Sequence, residues 1–309
     1  PARRVVNMSR LGAVLAGEDG PVQVLFVQGS NPAATCPNQA LVLDGLARTD
    51  LFTVVHEQVL TDTARYADLV LPATTHFEAD DLVAGYGNYV VQDAPALIPP
   101  VGESRTNNEV AHGLALRLGL DGDAFDPDPA RLRQALLLGL PLPLRLQTEG
   151  FVQFADVWPA HADGGPPRAR LVAPDAAVAA GADRLPTYRD NDHDGGPLVL
   201  LTPATNRTIT SMFAEYDPPD PSVRLHPDDA ASRGLAAGDA VVVSDGRHEI
   251  HVPLAVGPDV RPGVAVMAKG LWCTATPEGW TANVFAPDTL SDLAGGARFN
   301  DARVEVRPA

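Results

Sequence analysis

Two short stretches hold residue types from which a ligand site could be built. Gly29-Ser30-Asn31-Pro32 follows an apolar run and precedes a helical pattern. Its small residues let the backbone approach a ligand, and Ser30 and Asn31 can hydrogen-bond to a phosphate or a heterocycle. The same residue types also make tight turns, and both readings stand on the spacing alone. Glu57, just past the next apolar run, can accept from a ribose hydroxyl or from the N–H edge of a guanine. The pattern is not GxGxxG, so the NAD-binding fingerprint is weakly supported. His248-Glu249-Ile250-His251 resembles a metal motif, yet on a strand its two histidines face opposite sides, and the HExxH spacing is missing; an exposed strand is the better reading. His76, Glu78, Asp80 and Asp81 offer acid–base or metal-ligating groups, with solvated loop charge as the plainer reading. Trp272 and Trp280 read as packing residues rather than a stacking platform. Cys36 and Cys273 stand apart with no CxxC pair, so no iron–sulfur cluster or structural zinc is expected within the chain. Two reduced thiols are the expectation, a single disulfide the alternative. Neither a Ser–His–Asp order nor a nucleophile elbow is present, so no catalytic residue and no metal ligand is read here.

The elements that must position these residues can be read from periodicity. Residues 22–27, 51–55 and 68–71 are continuous apolar runs, separated by helical spacing over 38–47, with Asn38 as its N-cap, and by a short helix over 62–67 capped by Thr61. Such runs indicate a parallel sheet covered on both faces. Ligands of these sheets lie beyond the carboxyl ends of the strands, which selects Gly29–Pro32 and His56-Glu57. Thr106-Asn107-Asn108-Glu109 has the capping-box form, and Val110, Leu114 and Leu118 make an apolar stripe that Gly119 ends. Residues 141–196 break into Pro, Gly and Asp clusters and read as an irregular linker lying on other structure. From Leu198 the pattern is one of strands: 198–201, 223–225, 240–243, 249–256 and 264–267, with Asp245-Gly246 as a hairpin signal. His226–Gly234 reads as one short helix with Pro227 in its first turn. The expectation is an α/β part over 1–140, the linker, and a compact β-barrel over 197–309.

Composition narrows the partners. In 309 residues, 23 Lys and Arg face 39 Asp and Glu, a formal charge of −16 that repels phosphate backbones and anionic lipid. Nucleic acid is therefore not an expected partner. No apolar stretch has the length of a bilayer span. The chain starts at Pro1 without a Met, so the missing targeting signal leaves location open; cytoplasmic is the expectation and periplasmic the alternative.

Longer strings carry a family resemblance. Residues 52–57, 61–73 and 102–107 are similar to the later α/β segment of molybdopterin oxidoreductases of the dimethyl-sulfoxide-reductase superfamily, anaerobic dehydrogenase-like members in particular, and Asn7–Gly12 and Ser30–Pro32 fit the same segment. Leu201-Thr202-Pro203, His226–Ala230, Arg261-Pro262-Gly263, Lys269–Trp272 and the stretch from Ala282 to Val306 resemble that family's dinucleotide-binding barrel. The resemblance implies an α/β fold made of the second half of a Rossmann-like parallel-sheet domain, followed by a double-psi-type β-barrel. It also implies a molybdenum or tungsten bis(molybdopterin guanine dinucleotide) cofactor. Ser30 and Asn31 would contact one dinucleotide, and His56 and Glu57 would read its ribose or base. Asn107 stands where the family often has a base-contacting Asp. Thr202, Ala204, Thr205, Asn206, Thr210 and Ser211 match the loop that embraces pterin and pyrophosphate, and Asn283 and Asn300 match later pterin contacts.

The departures are as informative. The family's metal ligand, its first Rossmann-like half and any 4Fe-4S cluster lie upstream of the strings matched here. The resemblance therefore implies a cofactor-holding C-terminal portion whose partners are the missing N-terminal domains of the same protein, a small-molecule substrate and a redox partner, with two-electron oxidoreductase activity belonging to the parent protein. Two other readings stand beside it. One is a binding or structural module of the same fold that has lost its cofactor; the other is an independent barrel protein used in protein recognition.

Overall fold

The computed structural model describes residues 4–86, 90–120, 125–137, 146, 148–153, 171–179, 181, 183–185, 187, 195–216, 218, 220–291 and 295–309. The chain divides into two compact units, Pro1–Val55 with Leu60–Leu69 and Leu171–Ala309, and His56–Val59 with Val70–Arg170.

The α/β layer of the first unit contains α1 (Leu11–Leu15), β1 (Val24–Gln28), α2 (Pro32–Thr35) and α3 (Gln39–Leu46). Strands β1, β2 (Phe52–Glu57) and β3 (Leu69–Pro72) form a sheet in that order. Phe52 N–H bonds the Gln23 carbonyl and Asp68 N–H the Thr53 carbonyl, each at 2.9 Å, so the strands start side by side and run parallel. Leu15, Ala33, Cys36, Val42, Leu46 and Leu51 make the core beneath. A Cβ on Gly45 would lie 2.5 Å from Leu15 Cβ, so only glycine lets α3 lie this close to α1. Asn38 stands at the start of α3 as expected but in the left-handed region, φ 49°, and its side chain does not cap; its N–H instead bonds the Ala286 carbonyl at 2.8 Å. Thr61 does act as a cap, accepting from Ala64 N–H at 3.2 Å, although it caps the 3-10 turn Thr63–Tyr66 rather than an α-helix. The expectation of cover on both faces needs correction: Val24 and Phe26 of β1 and Phe52 of β2 are exposed. An apolar run reports that burial is wanted, and the described residues cover only one side.

The barrel of this unit closes through β7 (Leu198–Leu201), β8 (Val223–Leu225), β9 (Ala240–Ser244), β10 (Glu249–Val256), β11 (Val264–Met267) and β12 (Arg303–Pro308), in the order β10-β8-β11-β7-β12-β9. Pairs β10–β8 and β11–β7 are parallel; β10–β9, β11–β8, β12–β7 and β12–β9 are antiparallel. Alternate residues turn inward, as Ile250, Val252 and Leu254 do along β10. The Asp245-Gly246 hairpin forms as read, with Asp245 Oδ1 accepting from Arg247 N–H at 2.8 Å and His248 N–H at 2.7 Å. The helix Pro227–Ser232 also forms as read, and His226 Nδ1 caps it by accepting from Asp228 N–H.

In the second unit β4 (Asp81–Ala84), β5 (Val90–Ala94) and β6 (Phe151–Gln153) make an antiparallel sheet in chain order. β6 lies inside the stretch read as irregular; its three residues are too few to show a period, and only Val152 is buried. Helix α4 (Asn107–Arg117) has its capping box, with Thr106 and Glu109 bonding reciprocally. Its expected apolar stripe is not a buried one: Leu114 and Leu118 are exposed, and Ala115 is the buried residue of the helix. Glu78 is an internal staple. It accepts from Thr75 N–H and Oγ–H and from Val101 N–H, all at 2.7 Å.

Gly45→Ala should lower the urea midpoint, because overpacking that costs about 1–3 kcal/mol outweighs the gain in helix propensity of about 0.5–1 kcal/mol; an unchanged or higher midpoint would refute the contact. The bonds from Thr75 and Val101 hold the Glu78 carboxyl down from the usual 4.5 to about 2. A depressed carboxyl stabilises above its unfolded value, so the staple is at full strength above pH 4.5 and is lost as pH falls toward 2. Amide protection factors at Thr75 and Val101 should fall across that window, and Glu78→Gln should flatten the dependence.

Candidate functional site

The loop after β1 is built around one amide. Thr63 N–H and Thr63 Oγ–H both point at the Asn31 side chain, at 3.1 and 2.8 Å. A backbone N–H can only donate, so the atom facing it is Oδ1, and the amide orientation is settled. Thr63 Oγ in turn accepts from Ala33 N–H at 3.0 Å. Asn31 is 5% exposed, and its Nδ2 is buried with no partner among the described residues. A buried donor left unpaired costs about 1–3 kcal/mol.

From Thr63 the connection runs into the barrel loops. The neighbouring Asp62 accepts from Cys273 N–H through Oδ2 at 2.5 Å. Its Oδ1 is 3.9 Å from Arg65 Nε, near enough for charge attraction but too far for a hydrogen bond. Next to Cys273, the Trp272 indole N–H donates to the Ser211 carbonyl at 2.9 Å. Asn31 and Ser211, far apart in sequence, are thus joined through two pairs of adjacent residues. The loop holding Ser211 is pinned again farther back: Lys269 N–H bonds the Pro203 carbonyl at 3.0 Å, and Thr208 Oγ bonds the Lys269 carbonyl at 3.2 Å.

The other residues singled out from the sequence divide by what their polar atoms already do. Asn300 Oδ1 accepts from Thr202 N–H at 3.2 Å, which brings that pair together. Thr205 Oγ accepts from Arg207 and Thr208 N–H and shapes the turn. Thr210 Oγ bonds its neighbour's carbonyl. Asn283 Nδ2 donates to the Ala34 carbonyl at 2.7 Å. Ser30 is partly buried, while Ala204 and Asn206 are exposed. In the second unit, His56 Nε2 lies 3.1 Å from the Arg105 carbonyl. A carbonyl only accepts, so Nε2 carries a proton, and Nδ1 is buried with no partner among the described residues. Glu57 Oε1 takes the Gln58 N–H at 2.8 Å, and Asn107 is exposed at the start of α4. The histidine motif separates: on β10 His251 Nδ1 pairs with Glu278 at 2.6 Å, while His248, just before the strand, packs edge-on against Trp280. Glu78 and Asp80 are held by backbone N–H groups, and the described residues contain no group of three His, Cys, Asp or Glu fit to hold a metal.

Reading the sequence missed Thr63, Asp62, Gln39 and Thr281. Gln39 accepts from Thr281 N–H at 2.7 Å and donates to the Ala33 carbonyl at 2.7 Å. Its signal was position, since Gln39, Val42 and Leu46 share the buried stripe of α3. Thr63 lies in a turn with no period to read.

Both cysteines are free. Burial pushes the Cys36 thiol up to about 11; burial and then the Asp62 charge push Cys273 to about 12. At pH 8 the thiolate of Cys36 is then about one part in a thousand, and that of Cys273 less. Iodoacetamide at pH 8 should label neither in the native chain and both in urea, as read by intact mass; rapid native labelling would contradict the burial.

Comparison with known proteins places this arrangement. Residues 5–117 match the family described as molybdopterin oxidoreductase, and residues 198–303 match the molydopterin dinucleotide binding domain. The chain is 34% identical to the probable oxidoreductase YoaE of Bacillus subtilis, over 98% of this chain and 47% of that protein. It is 25% identical to the dimethyl sulfoxide/trimethylamine N-oxide reductase of Rhodobacter capsulatus, over 81% of this chain and 36% of that one. Acetylene hydratase from Pelobacter acetylenicus shares the fold, with a TM-score of 0.77 at 20% identity, covering 99% of this chain and 47% of its own. The chain thus spans about half or less of the length of these relatives. With matched segments in both its α/β part and its barrel, it belongs to the molybdopterin oxidoreductase family.

Proposed function

We propose that this chain is the cofactor-holding C-terminal portion of an enzyme carrying a molybdenum or tungsten bis(molybdopterin guanine dinucleotide) centre, which performs two-electron redox chemistry on a small substrate. The observation that carries the reading is the buried Nδ2–H of Asn31, oriented by Thr63 and left without an acceptor among the described residues. A guanine dinucleotide offers carbonyl, ring-nitrogen and phosphate acceptors, so the residues present fit the group. When bound, the cofactor supplies electron transfer at its metal; the chain supplies position. Ser30 and Asn31 would hold one dinucleotide, and Thr202, Ala204, Thr205, Asn206, Thr210 and Ser211 would surround pterin and pyrophosphate. In the second unit His56, with its unpartnered Nδ1, Glu57 and Asn107 would read a guanine and its ribose.

The finer fold reading belongs here too: a second Rossmann-like half, then a double-psi-type barrel. Exposed Val24, Phe26 and Phe52 support the idea that further domains of the parent protein cover the sheet. Those domains would supply the metal ligand and any 4Fe-4S cluster, and a redox partner and a cytoplasmic location complete the proposal. The named reductases among the relatives support redox chemistry; a hydratase of the same fold is the reason the fold alone does not carry it. A second reading, a module that kept the fold and lost the cofactor, draws on Asn283 and Asn300, whose bonds to Ala34 and Thr202 are structural.

Molybdenum, tungsten and guanine content of the complete protein separates the two, with about two guanines per metal expected. A metal-free, guanine-free protein would sink the first reading, and so would stoichiometric metal with turnover in this chain alone. On the chain itself, calorimetric titration with GDP should show binding. Asn31→Asp, which keeps the acceptor for Thr63 but replaces the donor with an anionic oxygen, should weaken it about tenfold or more.

A further inference from the structure

We propose that Gly270 is a positioning residue for the ligand of the 202–211 loop: the side chain it lacks lets the Thr210 carbonyl press against the 269–272 segment, and that contact holds residues 208–213 in a shape they would otherwise relax out of. The proposal rests on the dinucleotide reading of this loop and adds a residue outside it.

The backbone of this strap is strained. Among the described residues other than glycine, three have positive φ, and two of them, Thr210 at 59° and Phe213 at 66°, fall here. A β-branched residue in that region is a true outlier, and such conformations persist only where the surroundings impose them. The strap's own burial does not impose this one: Ile209, Met212 and Phe213 are 60%, 55% and 51% exposed. A turn bond from Met212 N–H to the Ile209 carbonyl at 3.1 Å closes residues 209–212, and the segment on which the strap rests supplies a second constraint.

That segment is 269–272. An ideal Cβ on Gly270 would lie 2.0 Å from the Thr210 carbonyl oxygen and 3.0 Å from Thr208 Cβ, and Gly270 itself has φ 88°. No side chain fits there, and no L residue takes that backbone freely. On either side the strap is tied down, by Thr208 Oγ to the Lys269 carbonyl and by Trp272 Nε1 to the Ser211 carbonyl. Thr208 is fully buried, so the anchor is firm while the arc beyond it is exposed. A strained arc tied at Thr208 and Ser211, with open apolar side chains on it and just beyond it, is a preformed surface for something to lie on, and strain of this kind gathers at ligand clamps.

Arg207 lies at the base of the strap and gives a readout independent of enzyme activity, because trypsin can cut after it only when the strap opens and frees buried Thr208. In wild type, GDP should slow this cut. Gly270→Ala should raise the cut rate in the absence of ligand at least tenfold and weaken GDP binding at least tenfold. A folded Gly270→Ala chain cut at the wild-type rate overturns the proposal. Should that variant not fold, Thr210→Gly decides through the ligand-free cut: glycine accepts the left-handed backbone without strain, so the cut should slow severalfold, whereas an unchanged or faster cut overturns the proposal. Wild type that neither binds GDP nor gains protection would count against the dinucleotide reading, and the ligand-free cut rates would still decide the role of Gly270.

Discussion

The first unit depends on a buried amide. Gln39 is fully buried, and its side chain is satisfied from several directions: Nε2 donates to the Ala33 carbonyl and lies 3.3 Å from Cys273 Sγ, while Oε1 accepts from Thr281 N–H and, more weakly, from Thr281 Oγ–H. These partners come from α2 and from two turns that succeed the barrel strand β11. Removing one partner would leave a polar atom stranded without water, so the group holds together or fails together. Asn283 bonding Ala34 and Asn38 bonding Ala286 run beside it and lock the same seam.

That seam makes the neighbouring irregularities tolerable. With α2 and the 3-10 turn fixed, Thr63 can orient Asn31 so that one side of its amide is satisfied and the other is not. With Cys273 fixed by Asp62, Trp272 can reach Ser211 and hold a strap whose backbone is strained. Satisfied polar groups thus support unsatisfied ones, a pattern that suits a surface prepared for a ligand. Among the described residues a few buried polar atoms, Asn31 Nδ2 and His56 Nδ1 among them, have no partner.

The apolar surfaces show a similar incompleteness. β1 is an edge strand with Val24 and Phe26 turned to solvent, and in the second unit α4 exposes Leu114 and Leu116, with Leu118 exposed at its end. Open faces of this kind on apolar sequence patterns are a liability unless covered. The relatives are about twice as long or more.

Much of this was legible beforehand, and the boundary has a physical basis. Local rules, which need only neighbours in sequence, held for the parallel strands from continuous apolar runs, the Thr106 capping box, the Asp245-Gly246 hairpin and the Pro227 helix, though not for the Asn38 side-chain cap. The loop after β1 could be chosen for the same reason, since it sits where a strand ends and a helix begins. Features that depend on contacts between distant segments could not be read. β12, with Val304 and Val306 set among charged residues, is not among the strands read from periodicity, and its pairing with both β7 and β9 closes the barrel. The α4 stripe has the right spacing for burial, yet burial requires a partner surface that periodicity does not supply. Asn31 could be named from sequence, but only Thr63, thirty-two residues away, decides which end of its amide is free. Sequence by itself determined the elements and the loops that could bind; the tertiary structure decided which polar atoms are already used and which are left over, because hydrogen-bond satisfaction is a property of the assembled neighbourhood and not of any one segment.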